Sequence, residues 1–266
     1  MRTLFALALA LPLLQPVSQT PAAGAGGPAA TSKIWVGRHA AFERFLRTAE
    51  IVEAREIPKS TTRPRHAFFA PGGLAAGAII KAINPDLSDT HFDSHRSEIA
   101  AYELDKLLGM EMVPPTVERR YGTDLVSAQL WVENCVSYKS VMDKPMPDAD
   151  AWNRQLRRMI VFDNLAVNRD RNAGNMLVDP AGNLILIDHS RAFDGRLHHL
   201  PFEKEMAKID RPFFERLKAL DRKTLQAHVG PWVDFGVGPI LLQREYILSR
   251  FEKLIKENGE AHVIVE

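Results

Sequence analysis

Three oxygen-bearing side chains stand out in residues 164–193, NLAVNRDRNAGNMLVDPAGNLILIDHSRAF. Asp170 and Asn175 lie five residues apart, in a segment too polar for regular structure. Asp188 comes thirteen residues after Asn175, at the end of an apolar hairpin: Met176-Leu177-Val178, a turn over 179–183, then Leu184-Ile185-Leu186-Ile187. A carboxylate and an amide on either side of a tight hairpin can converge on one point. Such oxygen donors suit Mg²⁺, which takes one or two carboxylates together with waters and substrate phosphates. Asp170 would then lie near the metal without ligating it. A fourth residue, Lys81, sits inside the apolar run Ala78-Ile79-Ile80-Lys81-Ala82-Ile83. An ammonium in such a strand needs a partner, because burying it unpaired is costly. Glu98, seventeen residues on, is in range; Glu103 is the alternative, on a different helical azimuth. Asp163 is either a group supporting the Asp170 segment or a helix-surface residue. Arg171 can bind a substrate phosphate or a loop carbonyl.

The elements that must position these residues can be read from periodicity. A helix begins after Trp35, with Phe42, Phe45 and Leu46 on one face. VEAREI, RPRHAFFA and AGAIIKAI read as strands, with Gly72-Gly73 turning the last two into a hairpin. HRSEIAAYELDKLL, residues 95–108, reads as a helix with Ile99, Ala100, Leu104, Leu107 and Leu108 inward, and Gly109 stops it. VPPTVERR and LVSAQLWVE are two further strands joined at 121–124. A connector follows near 133–147, then an amphipathic helix over 151–168, the 176–187 hairpin, and helices over 211–233 and 239–257. No internal repeat is visible.

The 164–193 stretch resembles the catalytic core of protein-kinase-like enzymes, with their H-R-D-x-x-x-x-N loop and following D-F-G. Asn168-Arg169-Asp170 resembles H-R-D, Asn175 matches the loop asparagine and Asp188 the metal aspartate. The wording D-R-N-x-G-N, then I-D-H-S-x-A-F, is closer to atypical families: the phosphatidylinositol kinases and kinases of the secretory pathway. Asn168 stands where histidine is usual, and His189-Ser190 where Phe-Gly is usual. No G-x-G-x-x-G is present; PKSTTRPR, 58–65, occupies its place. The resemblance implies an α+β, two-lobed fold, with an antiparallel-sheet N-lobe over 35–132 and a mainly helical C-lobe over 133–266. It implies ATP with Mg²⁺ or Mn²⁺ as cofactors. Asp170 would be the catalytic carboxylate, and Asn175 and Asp188 the metal ligands. Lys81 would hold the phosphates, with Glu98 orienting it. Lys59, Ser60, Thr61 and Thr62 would meet phosphates, unless 58–65 is an ordinary polar turn. Backbone near Glu133, Asn134 and Cys135 would meet the adenine. The implied reaction is transfer of the γ-phosphate to a hydroxyl of a protein, lipid or small molecule. AMP transfer on the same fold and a silent nucleotide-binding module are the alternatives.

Residues 1–25 have the pattern of a signal peptide: Arg2, an apolar run over Leu4–Leu14 too short to span a bilayer comfortably, Pro16, then small residues. Residues 26–34 continue a Pro/Ala/Gly-rich linker. The expected location is outside the cytoplasm, periplasmic or secreted, with no stable membrane span after cleavage. A net charge of +1 gives no case for a nucleic-acid partner. Arg154, Arg157 and Arg158 read as a solvated helix face. The single cysteine, Cys135, can form no internal disulfide. His91 and His95 lack the further ligands of a metal pair and are expected to flank a helix or face solvent.

Overall fold

The structure, a computed structural model, describes residues 31–58, 63–83, 93–196 and 200–266. Helix α1 (His39–Thr48) buries Phe42 and Leu46. It lies on a five-stranded antiparallel sheet of β1 (Ile51–Glu56), β2 (Arg65–Phe69), β3 (Gly77–Lys81), β4 (Thr116–Tyr121) and β5 (Asp124–Leu130), ordered β1-β2-β3-β5-β4. Side chains alternate across a strand. On β3, Ala78 and Ile80 therefore face the core under α1, together with Trp35, Phe42, Leu46 and Ala128. Ile79 and Lys81 face the opposite way. The turn between β2 and β3 has Gly72 at φ 87°, a conformation that suits glycine.

Helix α2 (His95–Leu108) begins where the Ser94 hydroxyl accepts the Arg96 N–H. It ends at Gly109, whose φ of 56° lets its N–H reach the carbonyls of Asp105 and Lys106. A Cβ at Gly109 would lie 1.6 Å from Arg216 Nη1, which donates to the Leu108 and Gly109 carbonyls. Of the residues expected inward, Ile99, Ala100, Leu104 and Leu108 are buried and Leu107 is half-buried. Ala100, Ala101, Tyr102, Leu104 and Leu108 belong to the same apolar core as the C-terminal helices. His95 is buried rather than solvent-facing, its Nδ1 2.6 Å from the Ile83 carbonyl.

The helical part starts with α3 (Ala149–Leu165), capped by Asp148. It ends three residues before the expected boundary, because Val167 adopts φ 50° and the Asn168 N–H bonds back to the Asp163 carbonyl. Strands β6 (Val136–Ser137), β7 (Met176–Val178) and β8 (Leu184–Leu186) form a small antiparallel sheet. The helix expected over 211–233 is divided into α4 (Arg211–Ala219) and α5 (Arg222–His228). Leu220 is extended there, and Asp221 caps α5 by accepting the Thr224 N–H. Asp210 caps α4 and receives a two-pronged ion pair from Arg158, so Arg158 braces α3 to α4 instead of lining a solvated face. Helix α6 (Gly238–Asn258) packs on α3. Among the described residues, no helix is long and apolar enough to cross a membrane. The expected signal peptide and the linker before residue 31 lie outside the described residues.

Asp105, on α2, is fully buried. Its Oδ1 accepts the N–H groups of Met112 and Val113, while Oδ2 has no partner among the described residues. Burial pushes its carboxyl up to about 7, against the pull of those N–H groups and of Lys33. From about pH 4 to pH 7 the folded chain thus keeps a proton that the unfolded chain releases. This group's contribution to stability falls as pH rises, by about 1.4 kcal/mol per unit, and levels off above pH 7. Asp105→Asn keeps the acceptor and cannot ionise. Relative to wild type, it is expected to gain stability progressively between pH 4.5 and pH 7, measured by urea unfolding at each pH. A difference independent of pH would show that the buried carboxyl is ionised throughout.

Candidate active site

Lys81 Nζ lies 2.5 Å from Glu98 Oε1 and 2.6 Å from Asp188 Oδ1. The lysine and glutamate side chains are almost fully buried, whereas the Asp188 side chain is 40% exposed and reaches solvent at the cleft. Burial acting on Lys81 would favour the neutral amine, but Glu98 and Asp188 outweigh it and hold the ammonium charged. Burial likewise favours the protonated form of Asp188, and Lys81 overrides it, so its carboxyl is held below the ordinary range. The other oxygen of Glu98 accepts the His189 N–H at 3.0 Å. Asp188 has φ 61°, a left-handed conformation that aspartate tolerates better than most residues. Of the two possible partners, Lys81 takes Glu98; Glu103 pairs with Lys106 on another face of α2.

Beneath this triad, Arg171 is buried and organises the 163–189 region. Its Nε and Nη2 bind Asp163 at 2.9 and 3.1 Å. Its Nη1 donates to the carbonyls of Asn175 (2.7 Å) and Ile187 (3.0 Å), fastening together the two chain segments that carry Asn175 and Asp188. Nη2 also lies 2.7 Å from His189 Nε2. A guanidinium has donors only, so Nε2 accepts and the imidazole proton is on Nδ1. Burial, then Arg171 and Lys81, hold His189 well below the ordinary histidine range, which keeps it neutral. Asp163 is therefore a buried support: it accepts from Asn168 Nδ2 as well. Arg171 serves loop carbonyls. Neither role was decided by the sequence, where the eight-residue separation of Asp163 and Arg171 across a helix end carries no signal.

Above the network, a 3-10 turn over Ala173–Asn175 is capped by Asn172. Asn175 Nδ2 donates to the Asp170 carbonyl at 3.0 Å, which leaves its amide oxygen without a hydrogen bond among the described residues. Asp170 is 41% exposed at its side chain and faces Arg191 at 3.4 Å. Asp170, Asn175 and Asp188 are thus held by backbone and buried partners while their oxygens remain accessible.

Lys81 and Asp188 line one end of a cleft of about 250 Å³. The rest is mainly apolar: Ile79, Trp131 and Val132 from the sheet side, Leu177 and Ile187 from the β7–β8 hairpin, and Cys135. Glu133 does not line this cleft. It lines, with Asn134, a separate hollow of about 550 Å³ beside the β2–β3 turn, which Lys81, Asp170 and Asp188 do not line. The smaller cleft is the chemically equipped one. Lys59, Ser60, Thr61 and Thr62 lie outside the described residues; Ile57 and Pro64, which flank them, line the cleft. Periodicity gave no means of finding Trp131 and Val132 as lining residues, since both fall at a strand end.

Removing Lys81 would leave Glu98 buried beside Asp188 with no cation between them. Lys81→Met is expected to cost about 3–5 kcal/mol of stability, the usual consequence of breaking a buried pair from one side. Adding Glu98→Gln to it should recover a substantial part. Denaturant unfolding of both variants measures this, and a single-variant loss below about 1 kcal/mol would mean that the ammonium does not hold the carboxylates.

No protein-family model and no curated protein sequence matches the chain. Solved structures do. The Golgi casein kinase with Mn and ADP bound superposes with TM-score 0.65 at 16% identity, over 85% of this chain and 78% of that one. The Golgi casein kinase structure described without them gives 0.64 at 16% identity, over 85% and 79%. Hydra Fam20 with sugar gives 0.62 at 16% identity, over 84% and 91%. Likeness at this identity speaks to architecture: the chain has an atypical protein-kinase-like fold, with an antiparallel-sheet N-lobe and a mainly helical C-lobe.

Proposed function

We propose that this chain is an ATP-dependent phosphotransferase that moves the γ-phosphate to a hydroxyl of a protein, lipid or small molecule. The observation that carries this reading is the buried Lys81 held between Glu98 and Asp188 at the polar end of an apolar cleft. The fold likeness to a kinase bound to Mn and ADP supports it. The wording around Asp170 and Asp188, which resembles that of phosphatidylinositol kinases and secretory-pathway kinases, leaves the acceptor class at any hydroxyl.

The donor set fits a hard divalent cation. Lys81, Glu98 and Asp188 together carry one surplus negative charge, and the accessible oxygens are a carboxylate and an amide. Asn175 and Asp188 would hold one or two Mg²⁺ or Mn²⁺ ions. Bound there, the metal offsets charge on the phosphate oxygens. Lys81 adds its positive charge to the α- and β-phosphates, with Glu98 fixing its position. Asp170 accepts the proton of the attacking hydroxyl. Trp131, Val132, Leu177 and Ile187 exclude water and offer apolar surface to the adenine, and backbone near Glu133 and Cys135 offers hydrogen bonds. Ser60, Thr61 and Thr62 would contribute contacts to the phosphates through hydroxyls and backbone N–H groups.

The domain scheme proposed with it is a signal peptide over 1–25, a linker over 26–34, and lobes over 35–132 and 133–266. The mature protein would act outside the cytoplasm, in the periplasm or secreted, without a nucleic-acid partner or a membrane span.

With Mg-ATP or Mn-ATP at 100 times its dissociation constant, the melting transition should reflect about 2.7 kcal/mol of added stability. Asp170→Asn should keep that shift and lose transfer by roughly 10²–10⁴, the contribution of a positioned general base. Asp188→Asn should lose nucleotide affinity and rate together. ATP labelled on the γ- or α-phosphate separates phosphoryl from AMP transfer. No melting shift with either metal, or full transfer by Asp170→Asn, contradicts the reading. N-terminal sequencing of the exported fraction should begin near residue 26; an intact Met1 on cytoplasmic protein would refute export.

A further inference from the structure

Arg191 lies three residues beyond Asp188, near enough for its charge to act on that carboxylate, and it pairs with two others. Its Nη1 is 3.4 Å from Asp170 Oδ2, and its Nε is 3.5 Å from Asp93 Oδ1. Asp93 Oδ1 also accepts the Ser190 hydroxyl at 3.0 Å. Asp93 immediately precedes Ser94, the cap of α2, and the Ser94 N–H donates to the Ser190 carbonyl at 2.9 Å. Farther along α2, the Ser97 hydroxyl donates to the Ala192 carbonyl, and Glu98 accepts the His189 N–H. Residues 189–192 are thus laid along the first turn of α2, and Arg191 is the side chain that extends from them to Asp170. No described residue donates to Asp170 Oδ1.

We propose that Arg191 is a positioning residue for phosphoryl transfer: by binding Asp170 Oδ2 while anchored on Asp93, it leaves Oδ1 as the oxygen presented to the acceptor. This rests on the reading of Asp170 as the proton acceptor. In the step concerned, the acceptor oxygen bonds to the γ-phosphorus and the bond from that phosphorus to the β,γ-bridging oxygen breaks. ADP leaves, and the acceptor proton passes to Asp170 Oδ1. A carboxylate with two equivalent free oxygens can turn about its Cβ–Cγ bond; one with an oxygen engaged cannot turn without giving up that contact. A half-exposed ion pair at this distance adds little to stability. Its loss should therefore register in the rate.

The probe is Mg-ATP with water as the acceptor, which yields ADP, inorganic phosphate and a proton and needs no knowledge of the natural substrate. ADP release, nucleotide titrations and melting midpoints would be measured for wild type, Arg191→Ala, Arg191→Lys, Asp93→Asn and the Arg191→Ala/Asp93→Asn double variant. Arg191→Ala is expected to lower kcat by about 10- to 100-fold, the scale of a misplaced reacting group, with KM and nucleotide affinity changed by less than about two-fold. Arg191→Lys should recover activity only in part, because an ammonium lacks the fixed fork that spans two carboxylates. Asp93→Asn should lower kcat less, and the double variant should match Arg191→Ala alone. Added guanidinium at low millimolar concentration should partly restore Arg191→Ala and leave wild type unchanged. An unchanged kcat in Arg191→Ala, or independent effects of the two sites, overturns the assignment of Arg191 alone. Wild type that binds the nucleotide and releases no ADP overturns the transfer reading, and the role of Arg191 with it.

Discussion

An ammonium group cannot be sealed into a sheet without its counter-charges, and much of this structure follows from how Lys81 meets that requirement. The strand alternation that sends Ala78 and Ile80 into the core sends Lys81 to the opposite face. There it takes one carboxylate from α2 and another from the segment after β8. One of these, Glu98, is buried and has both oxygens engaged, by the lysine and by the His189 N–H. The other, Asp188, is left partly open. Charge compensation and accessibility are thus divided between two carboxylates, and only one of them can take a further cation.

Asp188 and Asn175 come from opposite ends of a hairpin, and their closeness depends on a second buried cation. Arg171 collects the carbonyls of Asn175 and Ile187 with one nitrogen and is itself neutralised by Asp163. Its five donors in a planar fork suit this task, which a lysine could not perform. Neutral His189 completes the contact by accepting from the same guanidinium. The exposed polar atoms above are therefore supported by a layer whose members are almost all hydrogen-bonded, which is what keeps a loop with little regular structure in one shape.

Spacing and alternation made the outline legible. The five strands, the helix over 95–108 and the 176–187 hairpin follow from local pattern, as does the pairing of Lys81 with an acidic residue on the next helix. What local pattern could not show depends on contacts far apart in sequence. Asp163 was equally compatible with a surface position, because burial of a polar side chain is decided by partners such as Arg171. Apolar spacing runs on through 211–233 without a break; Asp221 divides that helix by accepting the Thr224 N–H and capping α5, a competition of side chain with backbone that periodicity ignores. Arg158 read as one member of a basic helix face, and only the fold brings Asp210 against it.

Helix α2 shares its apolar face with the C-terminal helices, and its two ends are fastened to that part of the chain: Arg96 to Asp234 and the Pro231 carbonyl in the connection between α5 and α6, and Gly109 to Arg216 on α4. The other face of α2 is fastened to the sheet side as well, where Tyr102 and Lys106 both donate to Glu43 on α1, so the glutamate that meets Lys81 is held from both halves of the molecule. Lys81–Glu98 is then one buried tie among several that fasten the sheet to α2.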